Sequence, residues 1–336
     1  MIEIDGSKGG GQILRTSLTL SALRQEPFRI DNIRGSRPNP GLKNQHLEAV
    51  KTVQRLTDAE VKGANIGSEK LEFKPKTLKE ESFTVNIGTA GSITLLLDTV
   101  LPLAEKLDLR LTVKGGTDVK WSPTLSYFKH VKLPLLKKKG LNAEIDLEKT
   151  GYYPKGGGEA TLRLEKSDLN SFSLEDRGEL QRFEIYSKAS KELEEQSVAD
   201  RQADEVARII KNSHISVPVN KDISYAETSS PGSTLLVKAV YENSIVGFDV
   251  LGEKGKRSEN VAKEAVQKFK KFHASEAVVD EYMADQIIVF LLGSESCLKG
   301  LKSTNHVRTN LETVRQFGYT IDAEEDEKLI NLRSRV

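Results

Sequence analysis

A short basic loop is the first stretch of this sequence that could bind phosphate. Residues 33–46 form a Pro- and Gly-rich loop that leads into a predicted helix, and their charged side chains are all basic: Arg34, Arg37 and Lys43. Helix N-termini and guanidinium groups both suit phosphate oxygens, so the loop is a candidate anion site. A solvated basic turn, which is the alternative, would have the same composition.

A histidine at the beginning of a predicted helix is the second candidate. His306 lies in the stretch 303–310, among hydroxyl, amide and guanidinium side chains. A neutral imidazole is itself a nucleophile near pH 7, and no Ser or Cys arrangement indicates a hydrolase triad. A histidine with no catalytic role, on the surface or in the core, is the alternative.

Glycine-rich turns form the third feature, at residues 9–11, 88–92, 115–118 and 156–158. Glycine lets backbone amides approach a ligand closely. None of the four has the spacing of a Walker loop or of a dinucleotide fingerprint. An ordinary tight turn is therefore the alternative for each of them.

The composition limits the class of protein. A length of 336 residues predicts about two domains. Fifty Lys and Arg against 49 Asp and Glu give a net charge of +1, which excludes a protein that coats nucleic acid through a global basic field. The single cysteine, Cys297, excludes an internal disulfide and a cysteine-rich zinc module. With no long apolar stretch and no signal peptide pattern, the sequence predicts a cytoplasmic protein.

The elements that would position these residues repeat along the chain. Residues 9–56 are predicted to form, in order, a glycine-rich turn, a helix, a strand, a Pro/Gly loop and a second helix. The same order returns in residues 88–136. Ile13 and Ile93 are 80 residues apart, while Pro40 and Pro123 are 83 apart. Chance similarity of glycine-to-helix turns is the alternative. The repeat predicts a mixed fold of the α/β (α+β) class.

A third copy is predicted near the C-terminus, with an apolar helix at residues 284–292 and another helix at 307–317. Asp118 lies in the loop of the second copy and His306 in the matching loop of the third. The two residues are 188 positions apart, about 108 more than one 80-residue repeat. An inserted domain would account for the excess.

The charged segment 181–274 is the candidate for this insertion, since it contains two predicted amphipathic helices and two predicted strands. Residues 1–180 and 275–336 would then form one large domain of three repeats.

Taken together, these features resemble the RNA 3′-terminal phosphate cyclase family. The matching pieces are spread over nearly the whole chain: residues 5–15, 33–46, 88–92, 115–123, 151–158, 252–255, 281–286 and 306–310. The resemblance implies three βαβαββ units, similar to the C-terminal domain of translation initiation factor three. It also implies a smaller α/β domain inserted in the third unit.

The resemblance also implies an activity: ATP-dependent conversion of an RNA 3′-phosphate into a 2′,3′-cyclic phosphate, with Mg²⁺ or Mn²⁺. His306 matches the nucleophile that takes AMP from ATP and passes it to the RNA end, where the 2′-hydroxyl then expels it. Four positions match the phosphate-binding pocket: Arg15, Arg34, Arg37 and Gln45. Six match contacts to ATP: Asp98, Tyr282, Met283, Ala284, Asp285 and Gln286.

The sequence departs from the family pattern at three places. The N-terminal glycine loop is two residues shorter and has Lys8 before Gly9, so it lacks the glutamate that helps to hold the metal or the nucleotide phosphates. Asp98 replaces a glutamine, and Ser126 replaces an aspartate. The first two differences bear on metal binding and on ATP affinity.

Two other functions compete with the enzyme. A non-catalytic RNA-binding or ribosome-assembly protein on the same scaffold is the first, and His306 argues against it because the family's non-cyclising relatives lack this histidine. An enolpyruvyl transferase, whose fold contains similar units, is the second, and it would not need His306 in this context.

Overall fold

The structure is a computed structural model that describes residues 1–171, 173–301 and 304–335. Within them the chain forms four four-stranded sheets with helices packed on them, which confirms the predicted mixed α/β class. None of the helices in this part of the chain has the length and apolarity that crossing a membrane requires.

The first unit alternates strands and helices and ends in two antiparallel strands. Its elements are β1 (Ile2–Asp5), α1 (Gly11–Arg24), β2 (Phe28–Asp31), α2 (Asn44–Thr57), β3 (Glu60–Lys62) and β4 (Leu71–Lys74). The strand order is β1-β2-β4-β3, with β1 parallel to β2 and the other pairs antiparallel. Phe28 and Phe73 stack on the buried face with ring centroids 5.7 Å apart, which anchors this sheet in the main core.

The second unit has the same order of strands. It consists of β5 (Glu81–Asn86), α3 (Ile93–Val100), a 3₁₀ turn (Leu101–Glu105), β6 (Leu109–Gly115), α4 (Leu125–Tyr127), a π-helical turn (Phe128–Lys132), α5 (Leu133–Lys137), β7 (Asn142–Lys149) and β8 (Gly158–Glu165). The sheet runs β5-β6-β8-β7, again with a parallel first pair. Ser92 caps α3, since its side chain accepts a hydrogen bond from the backbone N–H of Leu95.

A separate sheet follows β9 (Ser173–Leu174). It is built from β10 (Leu180–Ser190), α6 (Val198–Lys211), β11 (Val219–Ala226), β12 (Ser233–Tyr241), β13 (Ile245–Leu251) and α7 (Ser258–His273), in the order β11-β10-β12-β13. Helices α6 and α7 cover one face and share a hydrophobic cluster with it, while Leu236 and Ile245 reach the main core. All four strands come from this one segment. The domain boundaries at residues 181 and 274 stay a prediction.

The third unit resumes with α8 (Met283–Gln286), α9 (Ile288–Leu291), β14 (Cys297–Leu301), α10 (Asn305–Gln316), β15 (Thr320–Glu325) and β16 (Leu329–Arg335). Its sheet runs β9-β14-β16-β15, the order of the first two units. The prediction of one helix over residues 284–292 is wrong, because the backbone at Ile287 (φ −109°, ψ 3°) interrupts it. Of the predicted loop 302–306, Lys302 and Ser303 lie outside the described residues.

Helix α1 is the centre of the helical layer and is buried on most of its surface. It contacts α2 of its own unit, α3 of the second and α10 of the third. Gln12 donates a hydrogen bond from Nε2 to Oγ1 of Thr309 (3.0 Å), and Thr16 donates from Oγ1 to Oδ1 of Asn310 (2.9 Å). These buried polar contacts fix the position of α10 along α1.

Candidate active site

A cavity of about 760 Å³ opens where the three units and the separate sheet meet. Its walls come from α1, α3, the loop 115–123, residues 282–286, α10 and the edge formed by β13 and α7. Seven residues singled out from the sequence line it: Arg15, Arg37, Asp98, Tyr282, Asp285, Gln286 and His306. The fold therefore brings most of the candidate residues to one place, although they are spread over almost 300 positions of the chain.

His306 lies in the first turn of α10 at the cavity wall. Thr304 caps this helix by accepting a hydrogen bond from the backbone N–H of Val307, so the turn that carries the histidine is well defined. The imidazole is 47% exposed, and its Nδ1 lies 3.4 Å from Oδ2 of Asp285. A carboxylate at Nδ1 favours the tautomer with its proton on that atom, which leaves the Nε2 lone pair available for attack.

Backbone and side-chain contacts fix the position of the histidine turn relative to the N-terminal glycine loop. Asn305 donates a hydrogen bond from Nδ2 to the backbone oxygen of Lys8 (3.1 Å). On the other side, Asn310 donates from Nδ2 to the backbone oxygen of Asp285 (3.2 Å). The nucleophile candidate, the glycine loop and the Asp285 segment are thus connected directly.

Two guanidinium groups supply positive charge to the cavity. Burial lowers the pKa of Arg15, and the nearby carboxylates of Asp98 and Asp285 oppose this shift. Arginine keeps its charge in any case. Arg37 is exposed, and its side chain has no hydrogen-bond or ion-pair partner in the ranges that the structure describes. Both groups can therefore receive an anionic ligand.

Side chains approach closely to the two glycines at the start of α1. A Cβ at Gly10 would lie 3.1 Å from Nη2 of Arg37, and a Cβ at Gly11 would overlap Nε2 of His46. Burial lowers the pKa of His46 to about 3, and the neighbouring positive charges add to this shift. His46 is thus neutral near pH 7, with Nδ1 accepting a hydrogen bond from the Lys43 N–H.

Arg34 and Gln45 do not line the cavity; their contacts hold loops together. Arg34 has a left-handed backbone (φ 56°) and donates from Nη1 to the backbone oxygens of Asn39 and Gly41, both at 2.8 Å. Gln45 accepts a hydrogen bond at Oε1 from the Ser92 N–H (3.0 Å), which connects the basic loop to the second unit. Phosphate binding by these two residues stays a prediction.

Asp98 lies at the cavity wall, and one of its oxygens is bound by a buried lysine. The Nζ of Lys132, in the π-helical turn, lies 2.6 Å from Oδ1 of Asp98. Lys132 is 1% exposed and Asp98 is 13% exposed. Lys132 is not among the residues predicted from the sequence, because nothing in the spacing of 34 residues between Asp98 and Lys132 indicates that the two meet.

The residues of the segment 282–286 differ in their burial and in whether they line the cavity. Tyr282 is exposed at the cavity, whereas Met283 and Ala284 are buried and do not line it, so contact of these two residues with ATP stays a prediction. Gln286 lines the cavity, and its Oε1 is buried without a hydrogen-bond partner among the described residues. An unpaired buried acceptor is costly, so this atom is ready to accept a hydrogen bond from a ligand.

Asp280 holds this segment in place, and it is likewise not among the residues predicted from the sequence. Its carboxylate accepts hydrogen bonds from the Tyr127 hydroxyl (2.8 Å to Oδ1), from the Gly247 N–H and from the Met283 N–H. Burial raises the pKa of Asp280 to about 6. One carboxyl group thus joins the second unit, the separate sheet and the segment 282–286.

The separate sheet also contributes a carboxylate to the cavity wall. Asp249 of β13 accepts a hydrogen bond at Oδ2 from the Thr124 N–H (3.0 Å), the cap of α4. Residues 1–171, 173–301 and 304–335 contain no group of three or more His, Cys, Asp or Glu side chains that could hold a metal ion by themselves. Magnesium commonly binds through one or two carboxylates together with substrate phosphates, so Asp285 and Asp98 fit that mode.

Comparison with known proteins gives the same family over nearly the whole chain. A family model described as RNA 3′-terminal phosphate cyclase matches residues 7–321. Relatives of that name are 42% identical over 322 residues in Saccharolobus solfataricus and 44% identical over 321 residues in Sulfurisphaera tokodaii, each covering 94% of both chains. The relative in Halobacterium salinarum is 37% identical over 334 residues, 96% of both chains. The solved structure of the enolpyruvyl transferase NikO from Streptomyces tendae aligns with 98% of this chain and 47% of its own, at 9% identity and a TM-score of 0.39, too low a likeness to bear on fold or activity.

Proposed function

Because the chain belongs to the RNA 3′-terminal phosphate cyclase family, we propose that it converts an RNA 3′-terminal phosphate into a 2′,3′-cyclic phosphodiester at the expense of ATP. One observation supports this best: His306 lies beside Asp285 at a cavity that the guanidinium groups of Arg15 and Arg37 also line. A nucleophile, a group that orients it and positive charge for phosphates are the parts that phosphoryl transfer needs.

The first step joins AMP to the protein. Nε2 of His306 attacks the α-phosphorus of ATP, the bond from that phosphorus to the bridging oxygen breaks, and pyrophosphate leaves. Asp285 holds the Nδ1 proton and stabilises the positive charge that develops on the ring. A divalent cation, Mg²⁺ or Mn²⁺, would shield the phosphate charges, with Asp285 or Asp98 as the available carboxylates.

Two further transfers complete the reaction. An oxygen of the RNA 3′-phosphate attacks the phosphorus of the adenylate, and the P–N bond to His306 breaks. The neighbouring 2′-hydroxyl then attacks the activated 3′-phosphate, loses its proton, and expels AMP. Arg15 and Arg37 act by orientation and charge stabilisation, which carry most of the catalysis in phosphoryl transfer.

Labelling with ATP tests this proposal. Protein incubated with ATP that carries ³²P at the α-phosphate should retain the label on a denaturing gel, and acid should remove it as expected for a P–N bond. His306→Ala should abolish the label. His214→Asn is a matched control, since His214 is exposed, lies outside the cavity and has a left-handed backbone (φ 58°) that asparagine tolerates.

The labelling result distinguishes a cyclase from a non-catalytic protein of the same fold. Full labelling of His306→Ala would overturn the mechanism. Absence of label from the wild-type protein, together with retained RNA binding, would favour the non-catalytic RNA-binding or ribosome-assembly protein. The cytoplasmic location stays a prediction.

A further inference from the structure

One aromatic side chain at the mouth of the cavity is not used by the reaction described above. Trp121 is 93% exposed and lines the cavity edge. Tryptophan is among the side chains that bury the most surface on average, so an almost fully exposed indole is unusual. Its backbone is also left-handed (φ 68°), a conformation that bulky residues rarely adopt.

The loop around Trp121 is held from both sides. Before it, Asp118 is buried and forms an ion pair with Lys188 (3.4 Å). Lys120 pairs with Glu253 of the separate sheet's edge (3.1 Å). The strained backbone persists because its surroundings impose it, and such outliers concentrate at ligand sites.

The residues that follow Trp121 are fixed as well. Ser122 donates a hydrogen bond from Oγ to the backbone oxygen of Val119 (3.0 Å). The Pro123 backbone oxygen accepts from Oγ1 of Thr94 (2.8 Å). The loop is thus a rigid support that presents the indole to solvent at the cavity mouth.

The neighbouring loop adds aromatic and positive surface. A β-bridge pairs Asp118 with Tyr152, which places the loop 151–158 beside the loop of Trp121. Tyr153 on that loop is 73% exposed. Lys155 is exposed and has no ion-pair partner in the described part of the chain. Exposed aromatic rings beside cationic side chains are what single-stranded nucleic acid requires, because bases stack on the rings and phosphates meet the cations.

We infer that Trp121 is a stacking site for a base near the 3′-end of the single-stranded RNA substrate, with Tyr153 and Lys155 along the path of the strand away from the cavity. This inference rests on the proposed function, since it places an RNA end in the cavity. Stacking tolerates all four bases, so the contact binds the end without selecting its sequence. It also favours single strands, because a base within a duplex is already stacked.

The fluorescence of Trp121 provides a direct test, because it is the only tryptophan of the chain. Titration with a short single-stranded RNA that ends in a 3′-phosphate should quench the emission to saturation. The same RNA without bases on its last two nucleotides should bind more weakly and leave the emission nearly unchanged. Quenching by ATP alone, and not by RNA, would assign Trp121 to the nucleotide and overturn the inference.

Variants test the same contact in the reaction. Trp121→Ala should raise the KM for RNA by about 5- to 150-fold, the effect of one lost stacking contact, while Trp121→Phe should stay close to the wild type. Ile66→Ser is the matched control, because Ile66 is another exposed apolar residue and lies outside the cavity. The KM of this variant for RNA should equal that of the wild type.

Two results with the variants would also overturn the inference, and both can be told apart from failure of the proposed function. An unchanged KM in Trp121→Ala would show that the indole does not contact RNA. Loss of ATP labelling in Trp121→Ala, in parallel with the loss of cyclisation, would place it in the adenylylation site. Saturable quenching by RNA in a wild-type protein that takes no label from ATP would support the stacking contact and contradict the cyclase chemistry.

Discussion

Removal of the Asp98 carboxylate should destabilise the fold by about 3–5 kcal/mol, because it leaves a buried lysine without its counter-charge. Nζ of Lys132 lies 2.6 Å from Oδ1 of Asp98, and the lysine is almost fully enclosed. At an effective dielectric constant of about 20, two charges at that distance attract each other by about 6 kcal/mol. Desolvation of both groups offsets much of this attraction. In Asp98→Ala the ammonium is still desolvated, but the attraction is gone.

Urea unfolding followed by circular dichroism measures this free energy. Tryptophan fluorescence is a poor probe here, because Trp121 is already exposed in the folded protein. Glu72→Ala is the control: Glu72 forms an exposed pair with Lys62 (3.6 Å), and its removal should cost less than about 1 kcal/mol.

A double variant separates the structural role of Asp98 from its predicted contact to ATP. Asp98→Leu combined with Lys132→Met replaces the ion pair by apolar groups and should recover most of the lost stability. If Asp98 also contacts ATP, this stable variant should still take less label from ATP than the wild type. A cost below about 1 kcal/mol for Asp98→Ala would refute the view that Lys132 depends on this carboxylate.

Four further predictions concern the cavity and the contacts around it. Arg37→Ala should slow RNA cyclisation by about 10²-fold or more, because an unpaired guanidinium at the cavity is available for transition-state charge, and Arg37→Lys should restore only part of the rate; a wild-type rate in Arg37→Ala would show that the loop is a solvated turn. Gly11→Ala should cost about 1–3 kcal/mol in urea unfolding, because the added methyl group overlaps His46, and an unchanged midpoint would contradict this packing. Insertion of Gly-Glu before Gly9 should lower the Mg²⁺ or Mn²⁺ concentration for half-maximal labelling, since it adds a carboxylate, and an unchanged concentration would show that the loop does not tune the metal. Burial raises the pKa of Asp280 from 3.8 to about 6, so the folded protein keeps a proton that the unfolded chain has lost, and the resulting stabilisation is complete below about pH 4 and lost as the pH rises through 6. Asp280→Asn should therefore flatten the fall in unfolding free energy between about pH 4 and 6, and parallel profiles for variant and wild type would contradict this assignment.

The sequence predicts the ends of helices better than the directions of side chains in loops. The sequence predicts a helix over residues 307–317 after His306, and the structure has this helix at Asn305–Gln316. Arg34 and Arg37, by contrast, cannot be told apart by charge or by spacing. The left-handed backbone at Arg34 turns its guanidinium onto the carbonyls of its own loop, whereas Arg37 lies beside Gly10. The residue types in the loop do not predict which of the two arginines binds backbone carbonyls and which faces the cavity.

Contacts between units are the other part that the sequence does not reveal. Lys132 meets Asp98 through a π-helical turn, and Asp249 reaches Thr124 from a sheet that comes 125 residues later. Each of these residues has an ordinary sequence environment. Their pairing depends on how whole sheets and helices dock, and a pattern within one element carries no information about that docking.

The polar side chains inside α1 explain how three separate units form one site. Apolar surfaces stabilise contact between helices, but tolerate many relative positions of them. A buried hydrogen bond is lost if the helices slide past each other, and an unpaired buried polar group is costly. Thr19 donates to the Thr99 carbonyl of α3 (2.7 Å), while Gln12 and Thr16 bind α10. Arg15 lies between these contacts on the same helix, and its guanidinium is near enough to Asp98 of α3 and to Asp285, the partner of the α10 histidine, for both carboxylates to act on its pKa. The central helix therefore gives the cavity a single arrangement of charges, although it contributes few of them itself.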